Sequence, residues 1–377
     1  MKIALIRQRY TPFGGAERFV ARAMEALGKE GAQLTIVTRK WQADDNTSSL
    51  ICDPFYVGSV WRDWGFARCV CRQLQQQHFD LVQSHERIAC CDVYRAGDGV
   101  HREWLKQRRR VLGFSGRLGI TLNPFHHYVR AAEKRLFESP RLQAVICNSA
   151  MVKSEIMDYF GMPEEKLHVI YSGVDTNAFH PKLKAQHRTA LRQQYGIPQD
   201  ALLFLFVGSG FERKGLAAAL RAMTTVPDAY LLVAGTDKKM ESYQQLARST
   251  GLAQRVCFAG GQKDVAPFYA AADAFVLPTL YDPFPNAALE AMASELPVIT
   301  STKSGAAELV ENNRNGFVCD ALDTQALARC MTHLTQSGVA SSMGAAARAT
   351  IEPYTLENMS SQLLRLYRTL LPAMGVV

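Results

Sequence analysis

No apolar run in the chain approaches the roughly 18 residues a membrane-spanning helix needs, so the sequence predicts none. It opens directly on an apolar, strand-like stretch, Lys2–Ile6, with neither a basic leader nor a long hydrophobic one. That predicts no secretory signal and a cytoplasmic protein. The nine cysteines include no CxxC pair and no matching histidine spacing, which argues against a zinc site. Odd in number and scattered, several inside apolar runs such as Ala144–Asn148, they predict free thiols in a reducing compartment. The dinucleotide fingerprint GxGxxG and the GxxxxGK[ST] phosphate loop are both missing, which disfavours a nicotinamide dehydrogenase or a P-loop enzyme. Zinc-finger, RNP-like and helix-turn-helix patterns are missing too, so the sequence predicts no nucleic-acid partner. There is no low-complexity tract or short-period repeat.

What the chain does have is alternation. Its 377 residues, 47% hydrophobic and 21% charged, suffice for two well-filled soluble domains. Strand-like runs at 2–7, 34–38, 80–84, 144–148 and 167–171 are separated by helical patterns. One of these, 15–27, places Phe19, Ala23 and Leu27 on one face; another, 149–161, has a serine cap and a glycine stop. A polar stretch, Asp175 to Asp200, marks a domain junction. Beyond it the pattern repeats, with continuous apolar strands at 201–208 and 229–235 of the kind buried on both faces in parallel sheets. The expected fold class is therefore α/β: two doubly wound, Rossmann-like domains, 1–174 and 175–354, facing a central cleft. The last segment, 355–377, carries Leu356, Met359, Leu363, Leu366 and Leu370 at helical spacing and is expected to be a helix packing back on the first domain.

Charge is unevenly spread. Of a net +8, residues 101–150 alone carry ten basic and three acidic side chains, interleaved with Trp104, Phe114, Leu118 and Phe125. Such a segment suits either an anionic lipid surface or an anionic acceptor, or is simply a solvated helical face.

Three loops at predicted strand ends carry candidate chemistry. The first, Tyr10 to Arg18, contains Gly14 and Gly15, which permit close approach of backbone to ligand. Its counterpart in the second half, Gly208-Ser-Gly-Phe-Glu-Arg213-Lys214-Gly215, bends on glycines and opens a helix with two adjacent cations, a combination suited to a diphosphate. The third, 277–300, holds Asp282 on a proline-stiffened loop and Glu290 about one turn inside a helix that Asn286 can cap and that Leu296 and Pro297 end. Solvated carboxylates on an ordinary strand-loop-helix unit remain the alternative for that pair. Asp98 and His101 lie in a glycine turn, and Ser304–Glu308 again follows a strand and opens a helix.

Together these residues resemble the retaining glycosyltransferases of family 4, which have the GT-B fold. The resemblance spans nearly the whole chain and rests on the N-terminal Gly-Gly loop, SGVD (172–175), VGSGFERKG (207–215), the carboxylate pair in DPFPNAALE, GAAELV and NGFV. Within the family, RAGDGVHREWL, VGSGFERKG and PTLYDPFPN are most similar to lipopolysaccharide core enzymes that add an α-1,3-linked glucosyl or galacturonosyl residue to an inner-core heptose.

The resemblance implies a UDP-sugar donor, no metal cofactor, and a lipopolysaccharide core or lipid A acceptor reached from the cytoplasmic face of the inner membrane. It further implies that Glu290 binds ribose and that Asp282, with the backbone amides around Asn286, holds the donor sugar. Lys214 and Arg213 would neutralise the diphosphate, which Gly14, Gly15 and Gly208 would line. Asp98 or His101 would face the reacting centre, and Glu308 would sit near phosphate or sugar. Three departures stand out: the commoner carboxylate pair is Glu with Glu, the usual arginine position is Ser209, and the usual Gly-Gly before the helix is Ser304-Gly305. A different family 4 transferase of surface polysaccharides, for instance an N-acetylglucosaminyl enzyme, is the neighbouring alternative. A nucleotide-sugar 2-epimerase of the same fold and a non-catalytic binding module are the others.

Overall fold

The computed structural model describes residues 2–9, 33–40 and 48–371. Gly14, Gly15 and the helix expected at 15–27 lie outside the described residues. The chain forms two compact units, Met1–Ser172 with Glu357–Val377, and Gly173–Leu356.

The first unit is built on a seven-stranded sheet: β1 (Lys2–Ile6), β2 (Gln33–Thr38), β3 (Ser48–Ile51), β4 (Leu81–Ser84), β5 (Val93–Arg95), β6 (Ala144–Cys147) and β7 (Leu167–Val169). Their order is β3-β2-β1-β4-β5-β6-β7, and every pairing is parallel. Parallel strands need crossovers that cover both faces, which is why β4 and β6 are buried at every position. The helix Ala150–Phe160 starts where the Ser149 side chain accepts from Val152 N. It stops at Gly161, whose φ of 61° is the left-handed conformation glycine adopts without strain.

The terminal helix Leu356–Leu370 belongs to this unit from Glu357 onward. It buries Met359, Leu363, Leu366 and Tyr367 along one stripe, and the Tyr367 hydroxyl donates to Gln83 Oε1 at 2.5 Å. Cys71 and Cys90 are joined by a disulfide, a departure from the expectation of nine free thiols; the seven others are free. Spacing could not show it, because one cysteine sits on the helix Gly58–Gln76 and the other on a loop beyond β4.

The second unit has a six-stranded parallel sheet: β8 (Leu203–Val207), β9 (Tyr230–Ala234), β10 (Val256–Gly260), β11 (Ala274–Leu277), β12 (Val298–Ser301) and β13 (Gly316–Cys319), in the order β10-β9-β8-β11-β12-β13. Its core includes an unexpected member. Arg192, within the polar stretch 175–200, is wholly buried. Its guanidinium donates to the carbonyls of Ala271, Pro198, Gln199 and Ala201 and pairs with Asp273 at 2.6 Å. A buried cation is tolerated because its donors are satisfied, and this one pins the helix Lys184–Gln194 onto the sheet.

Candidate functional site

In a doubly wound sheet the crevice lies where strand order reverses, outside the carboxyl ends of the flanking strands. In the second unit that reversal falls between β8 and β11. The loop after β8 turns at Gly208 and Gly210 into one short helical turn, Phe211–Lys214, closed by Gly215. Gly215 has φ of 80°, and a Cβ there would stand 1.8 Å from the Pro278 carbonyl oxygen, so only glycine lets this loop reach the one after β11. The Arg213 carbonyl then accepts from Leu280 N and from Thr279 Oγ1, both at 2.8 Å. The two loops are thus hydrogen-bonded to each other.

This junction brings three of the predicted residues together. Asp282 Oδ2 accepts from Lys214 Nζ at 2.5 Å and from Arg213 Nη1 at 3.0 Å. The aspartate and the lysine are buried, so the reading of Asp282 as a solvated carboxylate does not hold. Burial by itself would raise the Asp282 carboxyl, but the charges of Lys214 and Arg213 outweigh it and hold the group below the ordinary carboxylate range. For Lys214, burial dominates over the attraction of Asp282 and lowers the ammonium. Asp282 is fixed from behind as well: its N–H donates to the Lys303 carbonyl and its own carbonyl accepts from Gly305 N. That second bond ties in the loop with Ser304 and a 3-10 turn, Gly305–Leu309, where Glu308 is exposed.

Glu290 lies inside the helix Asn286–Ala293, buried, and close enough to Lys214 to favour its charged form. Its Oε2 accepts from the Tyr269 hydroxyl at 3.0 Å, an oxygen that also lies 3.1 Å from the Ala287 carbonyl. Asn286 is the first helical residue and does not cap the helix. Pro285 occupies the cap position and makes no side-chain cap bond, and the helix ends at Ala293 with Ser294 as its C-cap, before Leu296. The reason is that proline at 285 already fixes the entering chain in the extended region.

The first unit's sheet reverses between β1 and β4, and charged groups gather there too. Glu86 Oε1 accepts from Gln8 N at 3.0 Å and pairs with Arg7 at 3.5 Å. Arg87 donates to Glu133 Oε1 at 2.9 Å and lies 3.6 Å from Asp98, which is otherwise exposed. Glu133 also accepts from the His101 N–H at 2.9 Å. The His101 ring shares a 3.1 Å hydrogen bond with His126. Burial, then the charge of Arg87, push the His101 imidazole down to about 3, so it is neutral at ordinary pH. Sequence reasoning missed Arg7, Glu86, Arg87, Glu133 and Tyr269. Arg7 and Glu86 were findable, since Arg7 is the last residue of the predicted strand 2–7 and Glu86 comes just after the predicted strand 80–84, where crevice residues sit.

Two family models match the chain in succession: Glycosyltransferase Family 4 over residues 13–178 and Glycosyl transferases group 1 over 187–350. The chain belongs to the family 4 glycosyltransferases. It is a retaining hexosyltransferase of the GT-B fold, related to lipopolysaccharide core transferases. The lipopolysaccharide glucosyltransferase WaaG of Escherichia coli K12 is 26% identical over 84% of this chain and 85% of its own length. The lipopolysaccharide core biosynthesis glycosyltransferase LpsE of Rhizobium meliloti is 25% identical over 93% of this chain and 96% of its own length. Among solved structures, that of WaaG superposes with a TM-score of 0.83 at 23% identity, covering 97% of this chain and 99% of that one. Anabaena Alr3699/HepE in complex with UDP-glucose superposes with a TM-score of 0.74 at 20% identity, covering 98% of this chain and all of that one.

Proposed function

We propose that this transferase moves a hexosyl unit, glucose or galacturonic acid, from a UDP-sugar onto a heptose of the lipopolysaccharide inner core. The observation that carries the reading is the pairing of Lys214 and Arg213 with the buried Asp282 at the crevice of the second unit. Two cations held there suit a diphosphate, and the shape relatives include a protein solved with UDP-glucose. The core-directed acceptor is supported by the kinship with WaaG and LpsE.

In this reading the acceptor hydroxyl oxygen bonds to the anomeric carbon on the face from which the diphosphate departs. The C1–O bond to phosphate breaks, and the hydroxyl proton passes to the departing phosphate oxygen. Lys214 and Arg213 stabilise the charge left on the diphosphate, so the reaction needs no metal ion. Glu290, oriented by Tyr269, binds ribose; Asp282, the Asn286 amide and the exposed Glu308 face the sugar and phosphates, with Gly208 lining them. Asp98, tethered to Arg87, faces the acceptor side, while neutral His101 offers a hydrogen bond instead of a charge.

The acceptor is a lipid, and the proposed workplace is the anionic cytoplasmic surface of the inner membrane. No helix among the described residues is long and apolar enough to cross a membrane. The helix Phe114–Leu122 instead presents Phe114 (85% exposed), Leu118 and Leu122 to solvent, one per turn, flanked by Arg108, Arg109, Arg110 and Arg117. A panel of UDP-hexoses offered with a defined heptose-terminated core, with the product linkage read by NMR, tests the reading. An α-1,3-linked hexose on heptose is expected; sugar released or epimerised without transfer overturns it.

A further inference from the structure

The helix Gly58–Gln76 has more apolar side chain than its own packing uses. Its inward stripe, Phe66, Val70 and Leu74, is buried in the core of the first unit. Trp61 and Trp64, on the outward side with Arg68, are nevertheless 45% and 44% exposed. Immediately before the helix Phe55 is 76% exposed and Val57 66%. Large rings left in water at such density are unusual in a surface with no partner. They are also held in place. The Phe55 and Trp61 rings meet edge to face at 5.7 Å, Arg39 stacks over Tyr56 at 4.5 Å, and Arg68 over Trp64 at 5.5 Å.

We propose that this ridge, Phe55 to Trp64, is a bilayer contact that seats the first unit at the headgroup level of an anionic membrane. The inference rests on the membrane reading above and adds a second point of attachment. Tryptophan and tyrosine favour the membrane interface because each combines an apolar ring with a polar handle, and the exposed Arg68 lying on the Trp64 ring can reach phosphate while the ring enters the acyl boundary. Arg39 is buried, donates to the Pro54 and Arg62 carbonyls and pairs with Asp53, so it only holds Tyr56 in place. Position and charge favour a bilayer over a protein partner. The ridge helix packs against the helix Pro124–Phe137, and Asp63 lies near enough to Tyr128 to help raise its phenol, a shift led by burial. That neighbour follows directly on the exposed helix Phe114–Leu122, within the segment of ten basic and three acidic residues. Ridge and basic segment therefore belong to adjoining elements of one unit, and anionic lipid complements the charge of the second while accepting the rings of the first. One attachment point leaves a protein free to swivel on a membrane; two fix its orientation toward a lipid acceptor.

The test uses the full chain with vesicles of phosphatidylethanolamine and phosphatidylglycerol, and vesicles of phosphatidylcholine alone. One variant carries Phe55→Ser, Trp61→Ser and Trp64→Ser; a second carries Phe114→Ser, Leu118→Ser and Leu122→Ser. Near-ultraviolet circular dichroism and transfer to a soluble acceptor verify that both are folded. The ridge variant is expected to partition onto anionic vesicles about tenfold more weakly than wild type, or worse. In a Trp41→Phe, Trp104→Phe background, where Trp61 and Trp64 are the remaining indoles, brominated acyl chains are expected to quench emission. Unchanged partitioning of the ridge variant, with loss in the second variant, overturns the ridge and leaves the membrane reading standing. If wild type ignores both kinds of vesicle, both ideas fail. Unchanged partitioning together with loss of a concentration-dependent dimer in sedimentation velocity overturns the proposal in favour of a protein interface.

Discussion

Lys214 Nζ lies 2.5 Å from Asp282 Oδ2, both side chains buried, with Arg213 on the same carboxylate oxygen at 3.0 Å. An aspartate read from the sequence as a sugar contact is thus the counter-ion of the two cations read as phosphate contacts. A donor diphosphate entering this crevice would compete with Asp282 for Lys214 and Arg213. Release of the carboxylate toward the sugar would then accompany donor binding.

Lys214→Ala is therefore expected to lower kcat by roughly 10² or more at saturating UDP-sugar, since in the proposed mechanism it removes a donor to the departing phosphate. Steady-state turnover measures this; wild-type kcat would remove Lys214 from the chemistry. The pair also bears on stability against pH. Because the Asp282 carboxyl is held below its ordinary range, its stabilising contribution is full above that range and lost as pH falls through the depressed value. Asp282→Asn should flatten that acid limb in thermal melts.

Tyr269→Phe removes one hydroxyl from behind Glu290. A hydrogen bond to a charged group is worth about 1.5–3 kcal/mol, so the donor KM is expected to rise on the order of tenfold with kcat little changed. Isothermal titration with UDP separates this from a folding defect: Glu290→Ala should weaken UDP binding further, and Tyr269→Phe should add little to it. Additive losses in the double variant would show that the tyrosine does not act through Glu290.

His101 is expected to stay neutral across the working range. With its imidazole pushed down to about 3, its ring resonances should not titrate between about pH 5 and 8, as followed by ¹⁵N NMR of the histidine side chains. A midpoint near the ordinary histidine value would mean that the ring is solvated and the burial beside Arg87 and His126 is wrong.

Arg192→Ala is expected to destabilise the second unit by about 3–5 kcal/mol, because four carbonyls and Asp273 lose a shared partner inside the fold. Chemical denaturation checks it. Arg192→Met, which keeps the volume but not the donors, separates packing from hydrogen bonding.

How much of this could be read in advance differs from residue to residue. The apolar runs at 201–208 and 229–235 announced themselves as parallel strands, found at Leu203–Val207 and Tyr230–Ala234, because burial on both faces leaves no room for polar alternation. Glycines 208 and 215 and the cations between them marked a loop at a strand end, since backbone shape and charge are local properties. Partnerships are not local. Tyr269 and Glu290 are 21 positions apart, and nothing in either segment names the other. Arg192 sat in a stretch polar enough to pass for a linker, and only the fold shows its guanidinium surrounded by carbonyls. Cys71 and Cys90 are a similar case, joined across two elements whose mutual placement the sequence leaves open. The cap expected from Asn286 failed for the opposite reason: a local rule was applied one residue too late, beside a proline that had already set the chain's entry.

At Gly215 the backbone of the cation-bearing loop rests on Pro278, and Arg213 accepts two hydrogen bonds from the loop that leads to Asp282. These are two halves of a single clamp. A change at 279–285 that admits a different sugar will therefore also shift the cations proposed to receive the departing phosphate. Donor preference and turnover should drift together among variants of this stretch, and a specificity switch here is expected to need a compensating change at 211–215 before full speed returns.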